Sequence, residues 1–156
     1  MNHKRRVLLK STLAAGATGM AISAGLLTPK AVLAAWPKAA FEAKEANAAL
    51  EAALGSSSTA ESGDIKMKAP DIAENGAVVP ITVTSNIDGS ESISIVVKEN
   101  GTPLAASFNL GPDTAAFVST RIKMAKTSDV TAVVKAGGKL CSASKSVNVP
   151  SSAAGC

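Results

Sequence analysis

The sequence predicts a mostly β protein: an antiparallel β-sandwich of immunoglobulin-like type, with an N-terminal helix and a flexible C-terminal arm. Three observations predict it. Seven short runs of period-two hydrophobicity follow Ile65. Turn-forming residues separate these runs at short intervals. A single stretch ahead of them carries helical periodicity instead.

That stretch runs from Pro37 to Leu54. Trp36, Ala40, Ala43, Asn47, Leu50 and Leu54 recur at alternating steps of four and three, with Phe41 beside the stripe. Pro37 suits a first helical turn and Gly55 the position just past the end. Such a helix either docks on its own domain or packs on a partner chain. Gly55 to Gly63 reads as a Ser/Thr/Gly linker. Then Ile65-Met67-Ala69 alternate with Lys66 and Lys68. Val79-Ile81-Val83 alternate with Pro80, Thr82 and Thr84, and Ile93-Ile95-Val97 with Ser92, Ser94 and Val96. Leu104 to Phe108, Phe117 to Met124, Val130 to Ala136 and Leu140 to Val149 complete the seven. Glu74-Asn75-Gly76, Asp88-Gly89, Asn100-Gly101, Gly111-Pro112 and Gly137-Gly138 are the turns between them. Pro80 lacks an amide donor, so its strand should lie at an edge or carry a bulge there.

The N-terminus reads as an export signal. Lys4-Arg5-Arg6-Val7-Leu8-Leu9-Lys10 carries a twin arginine, an apolar Ala/Gly-rich stretch follows to about Leu27, and Val32-Leu33-Ala34 is a small-residue cleavage pattern. The expected organisation is therefore a twin-arginine signal at 1–34, helix and linker at 35–63, sandwich at 64–149 and arm at 150–156. The destination is the periplasm, with no membrane anchor after cleavage. Five of the 16 basic residues (Lys4, Arg5, Arg6, Lys10 and Lys30) fall in the signal, and no acid does. The mature chain keeps 11 basic residues against 12 acids, a net charge of −1 in place of +4. No nucleic-acid partner follows from that balance.

The signal also contains the only histidine, His3, and the chain has no tyrosine. Ser-His-Asp and Cys-His catalysis are thereby excluded from the mature chain, as are histidine-containing metal sites. There is no Cys-x-x-Cys pair and no glycine-rich phosphate loop. Trp36, Phe41, Phe108 and Phe117 are too few for a base-stacking platform. An enzyme is not expected; no general base that titrates near neutrality is left.

Two cysteines carry what chemistry remains. Strand parity sets Cys141 on one face with Ala143, Val147 and Val149, and Leu140, Ser142, Ser144, Ser146 and Asn148 on the other. Cys141 thus falls on a mainly apolar face that also holds Lys145. Cys156 lies beyond Pro150, at the end of Pro150-Ser151-Ser152-Ala153-Ala154-Gly155-Cys156, a charge-free run of small residues. Extended, that arm spans roughly 20 Å. Two readings stand. Cys156 is a functional thiol presented on an arm, or it closes a bridge with Cys141 around about 15 residues, which would stabilise by about 3 kcal/mol. In the second reading the protein is an exported structural or assembly module.

Three segments resemble the SoxY family, the sulfur-carrying subunit of the periplasmic thiosulfate-oxidising Sox system. They are Ala69-Pro70-Asp71-Ile72-Ala73-Glu74-Asn75-Gly76-Ala77-Val78-Val79-Pro80, Asn100-Gly101-Thr102-Pro103-Leu104-Ala105-Ala106-Ser107-Phe108, and Ser119-Thr120-Arg121-Ile122-Lys123-Met124 running on to Val133-Val134-Lys135-Ala136. The resemblance implies an immunoglobulin-like sandwich bound to a second sandwich protein, SoxZ, as a heterodimer or heterotetramer. It implies a sulfur species held covalently on Cys156, with no other cofactor. The cargo would visit a c-type cytochrome complex (SoxAX), a hydrolase (SoxB) and, where present, a sulfur dehydrogenase. The family tail usually reads Gly-Gly-Cys-Gly-Gly; here it reads Ala153-Ala154-Gly155-Cys156. The alanines restrict the backbone where the family has glycine. A terminal carboxylate on the cysteine itself would disfavour the thiolate. Cys141 adds the option of a reversible internal disulfide, and a carrier of another sulfur species is a further reading of the altered tail.

Overall fold

Residues 37–152 are described by the computed structural model. The expected signal, with Arg5 and Arg6, lies outside them, as do Trp36 and the tail residues Ala153, Ala154, Gly155 and Cys156. The element order is α1 (Lys38–Glu42), α2 (Ala46–Leu54), β1 (Ala60–Glu61), β2 (Ile65–Lys68), β3 (Val79–Ser85), β4 (Ser90–Val97), β5 (Leu104–Asn109), β6 (Phe117–Ile122), β7 (Ser128–Ala136) and β8 (Lys139–Val147). The strands form a five-stranded sheet, ordered β1-β8-β7-β4-β5, and a three-stranded sheet, ordered β2-β3-β6. The mostly β sandwich is therefore present, with all its pairings antiparallel except β1 on β8.

Period-two patterning builds the core. On β4, Ile93, Ile95 and Val97 point between the sheets and are fully buried. Val130, Ala132 and Val134 of β7 line the same space, facing Val79, Ile81 and Val83 of β3. Burying each such side chain contributes about 1.5–3 kcal/mol. The opposite face of the five-stranded sheet presents Val96, Leu104, Val133 and Leu140 to the helices, which cover it with Ala40, Ala49 and Leu50. Of the two places a helix could go, it occupies its own domain.

The helix is not continuous. Ala43 and Glu45 adopt extended backbone between α1 and α2. The reason is rotational. At about 100° per residue, Ala40 and Ala49 of one straight helix would face opposite directions, yet both are fully buried against the same sheet. Breaking the helix lets both turns face inward. The resulting stripe on α2 is Ala46, Ala49, Leu50 and Ala53, and Asn47, expected within it, is exposed. Gly55 ends α2 at φ 83°, a left-handed cap that glycine adopts without strain.

Two further strand expectations are revised. The segment Gly55–Gly63, read as a linker, contributes β1, which pairs Ala60 with Cys141 and Glu61 with Ser142. Pro80 is in neither an edge strand nor a bulge: β3 is the central strand of its sheet, and its ladder with β6 runs through Pro80↔Arg121 without a shift. The β2–β3 ladder stops at Lys68↔Thr82. Continuing its register would set Pro80 opposite Pro70, where no amide is required. The β7–β8 hairpin closes through Gly137 and Gly138, at φ 53° and 75°. A two-residue turn with both φ positive matches the twist of the strands it joins.

Candidate functional site

The final strand delivers the chain to a fixed point of departure. β8 ends at Val147, but the backbone stays held for two more residues. Asn148 forms a parallel bridge with Ile72. Its carbonyl accepts from the Ala73 amide at 2.8 Å, and its own amide donates to the Asp71 carbonyl at 2.9 Å. The Val149 amide donates to Thr127 Oγ1 at 2.9 Å, and that hydroxyl in turn donates to Asn148 Oδ1, also at 2.9 Å. Val149 is buried, whereas Pro150 is half-buried and Ser151 and Ser152 form an exposed turn. The chain up to Val149 thus belongs to the sandwich by hydrogen bonding and burial, and Pro150 is where the expected arm would start.

Lys145 reinforces this root. Its position on the apolar face of β8 is explained by where its ammonium goes: Nζ donates to the Ala69 carbonyl at 2.6 Å and lies 3.0 Å from Asp71 Oδ1. The stem lies along the sheet while the charge reaches the loop that pairs with Asn148. Ile72 and Val78 of that loop are exposed apolar residues beside the root.

Cys141 sits where parity placed it, half-buried and packed against the core between the sheets, and its thiol is free. It lies eight residues before Val149, about 26 Å along an extended strand. The contour from Val149 to Cys156 is at most about 25 Å, and its first residues are spent in the turn at Ser151 and Ser152.

Sequence reading missed a second feature. A cleft of about 670 Å³ opens between the β4–β5 turn, the α1–α2 break and the end of β6. Lys44, Arg121 and Lys123 line it, together with Phe41, Asn100 and Thr102. Asn100 holds two of its walls together: Nδ2 donates to the Lys123 carbonyl at 2.7 Å and Oδ1 accepts from the Ala125 amide at 3.0 Å. Arg121 and Lys123 share strand parity, which was the only signal available, and Lys44 comes from a distant segment. No group of His, Cys, Asp and Glu among the described residues could hold a metal ion, and no described helix is long and apolar enough to cross a membrane.

Comparisons with known proteins converge. A family model described as sulfur oxidation protein SoxY matches residues 50–156. No curated protein sequence matched. Among solved structures, the sulfur carrier protein SoxY from Chlorobium limicola f thiosulfatophilum is similar at 45% identity and a TM-score of 0.62, over 74% of this chain and 100% of that one. With a match that extends from α2 through both sheets to the terminal cysteine, the chain belongs to the SoxY family of sulfur oxidation proteins.

Proposed function

We propose that the protein is a covalent carrier of sulfur intermediates in thiosulfate and sulfur oxidation, which holds its cargo on Cys156 and presents it to partner enzymes. One observation carries this reading within the family: among the described residues the last backbone amide held by the sandwich is that of Val149, and the sequence puts the other thiol seven residues after it. A carrier needs an accessible sulfur nucleophile and a rigid body for partners to recognise. It does not need a general base of its own.

The chemistry is thiol redox chemistry. Loading joins Cys156 to the sulfane sulfur of thiosulfate as Cys–S–S–SO₃⁻, releasing one proton and two electrons. A c-type cytochrome partner of the SoxAX kind accepts the electrons. Water then cleaves the terminal S–S bond in a SoxB-like partner, leaving a persulfide on the arm and releasing sulfate and protons. A sulfur dehydrogenase, where present, oxidises the remaining sulfur. The arm reaches these sites from a complex with a SoxZ-like sandwich subunit, in the periplasm, after export by the twin-arginine route.

The alternative, a permanent Cys141–Cys156 bridge, asks the whole arm to run straight back along β8 and to insert its thiol beside a half-buried residue. A bridge holds the two Cα atoms about 6 Å apart, so the arm would have to cover roughly 20 Å of its contour of about 25 Å, almost fully extended, although it starts with the turn at Ser151 and Ser152. The experiment that decides is complementation. A strain relying on this protein for thiosulfate oxidation loses thiosulfate-dependent electron transfer with Cys156→Ala and keeps it with Cys141→Ala. Full activity of the Cys156→Ala strain would sink the proposal.

A further inference from the structure

The described residues hold 11 cationic and 12 anionic side chains, close to balance, yet their distribution is uneven. Lys44, Arg121 and Lys123 all line the cleft described above, and no carboxylate among the described residues lines it. Acids beside the lining residues have other partners or line the neighbouring depression: Glu42 lies 3.6 Å from Lys38, Glu99 lies 3.6 Å from Lys126, and Glu45, Glu99 and Asp129 line a depression that Lys44 also borders. Lys44, Arg121 and Lys123 are exposed residues, and the wall that carries Lys123 is braced by the two Asn100 hydrogen bonds. Three converging cations with amide and hydroxyl donors beside them form a receptor for a tetrahedral oxyanion; guanidinium in particular pairs two N–H groups with two oxygens of such a group.

The position of the cleft selects which oxyanion. Ala125 lines it, and Ala125 is two residues, at most about 7 Å, from Thr127. Thr127 is the residue that holds Val149 at the arm root. An arm of roughly 20 Å therefore brings Cys156 within reach of the cleft. Resting on the carrier reading above, we propose that the Lys44–Arg121–Lys123 cleft binds the sulfonate end of the cargo while it is attached to Cys156. The same chemistry would admit dissolved thiosulfate, so the test separates the two sources. Seating the anion there neutralises it and sets the arm in one place between visits to enzymes, with no covalent change.

The test uses the mature, isotope-labelled protein in two-dimensional amide NMR at constant ionic strength, since such contacts are screened by salt. Tetrathionate loads the arm without an enzyme: the Cys156 thiolate attacks a central sulfur, forming Cys–S–S–SO₃⁻ and expelling thiosulfate. Intact mass verifies loading. Loading is expected to shift the amides of Gly101, Thr102, Arg121 and Lys123 in wild type and not in Arg121→Gln/Lys123→Gln, with Lys66→Gln/Lys139→Gln, which removes two cations outside the cleft, as a charge-matched control that behaves as wild type. In Cys156→Ser, which cannot load, free thiosulfate is expected to shift the same amides, with an apparent Kd raised about tenfold or more by the paired substitution. Verified loading with unmoved cleft amides overturns the proposal and leaves the carrier reading standing, whether or not free thiosulfate binds. Absence of any adduct on Cys156 overturns the carrier reading itself, and the proposal with it.

Discussion

Thr127→Val removes the anchor of the arm root with little change in shape. The Thr127 hydroxyl accepts from the Val149 amide and donates to Asn148 Oδ1, both at 2.9 Å. Its proton can serve one acceptor at a time, and the Val149 carbonyl at 3.3 Å is the weaker choice. Valine keeps the branched shape and loses both bonds. Val149 is 6% exposed, so its amide is left buried without a partner, at a cost of about 1–2 kcal/mol. The bond to exposed Asn148 adds about 0.5 kcal/mol. The expected loss is therefore about 2 kcal/mol, read as a lower urea midpoint at unchanged slope. Amide exchange localises it: Val149 loses protection by about an order of magnitude or more, while Ile95 in the central strand follows only the global change. Thr127→Ser, which keeps the hydroxyl, restores protection at Val149. The reasoning fails if Thr127→Val leaves the Val149 amide as protected as in wild type, because no other described group then needs to hold the root.

Other outcomes follow from the same structure. Leu50→Ala removes the buried leucine with which α2 covers the outer face of the five-stranded sheet and should cost about 2–3 kcal/mol in urea unfolding; a loss below about 1 kcal/mol would mean the helices add little to the domain. Ser92 Oγ is buried with no hydrogen-bond partner, so Ser92→Ala should be neutral or stabilising by up to about 1 kcal/mol, and a clear destabilisation would reveal an unseen partner. Cys141→Ala should cost about 1 kcal/mol, since the side chain is small and half-buried, and should leave the amount of sulfur loaded per chain unchanged; reduced loading would give Cys141 a redox role.

What the sequence revealed divides along the range of the interactions. Alternation within a strand is local, so the inward set Ile93, Ile95, Val97 and the side of β8 taken by Cys141 were legible from parity alone. The helix break was not. Every residue from Lys38 to Leu54 tolerates a helix, and the interruption is imposed by a sheet that must receive Ala40 and Ala49 on one face. Pro80 misled because its lack of an amide was judged without knowing where β2 stops. That the last strand stops short of Pro150 was legible as composition. The root at Val149 was not, since Thr127 meets Val149 across 22 residues and Lys145 meets the Ala69 carbonyl across 76. Lys145 looked anomalous on an apolar face only until the loop it reaches was known. The basic cleft was hidden for the same reason, with its cations on two segments, around Lys44 and at the end of β6, that meet only in the folded chain.

The central claim is that Cys156 carries the sulfur. Intact-mass spectrometry of the protein taken from its native compartment, followed by peptide fragmentation, tests it most directly. The account predicts sulfur or thiosulfonate adducts confined to the peptide that contains Cys156, removed by reductant and absent from Cys156→Ala. Adducts on Cys141, or a mass two hydrogen atoms low that marks a Cys141–Cys156 bridge in all of the protein, would contradict it.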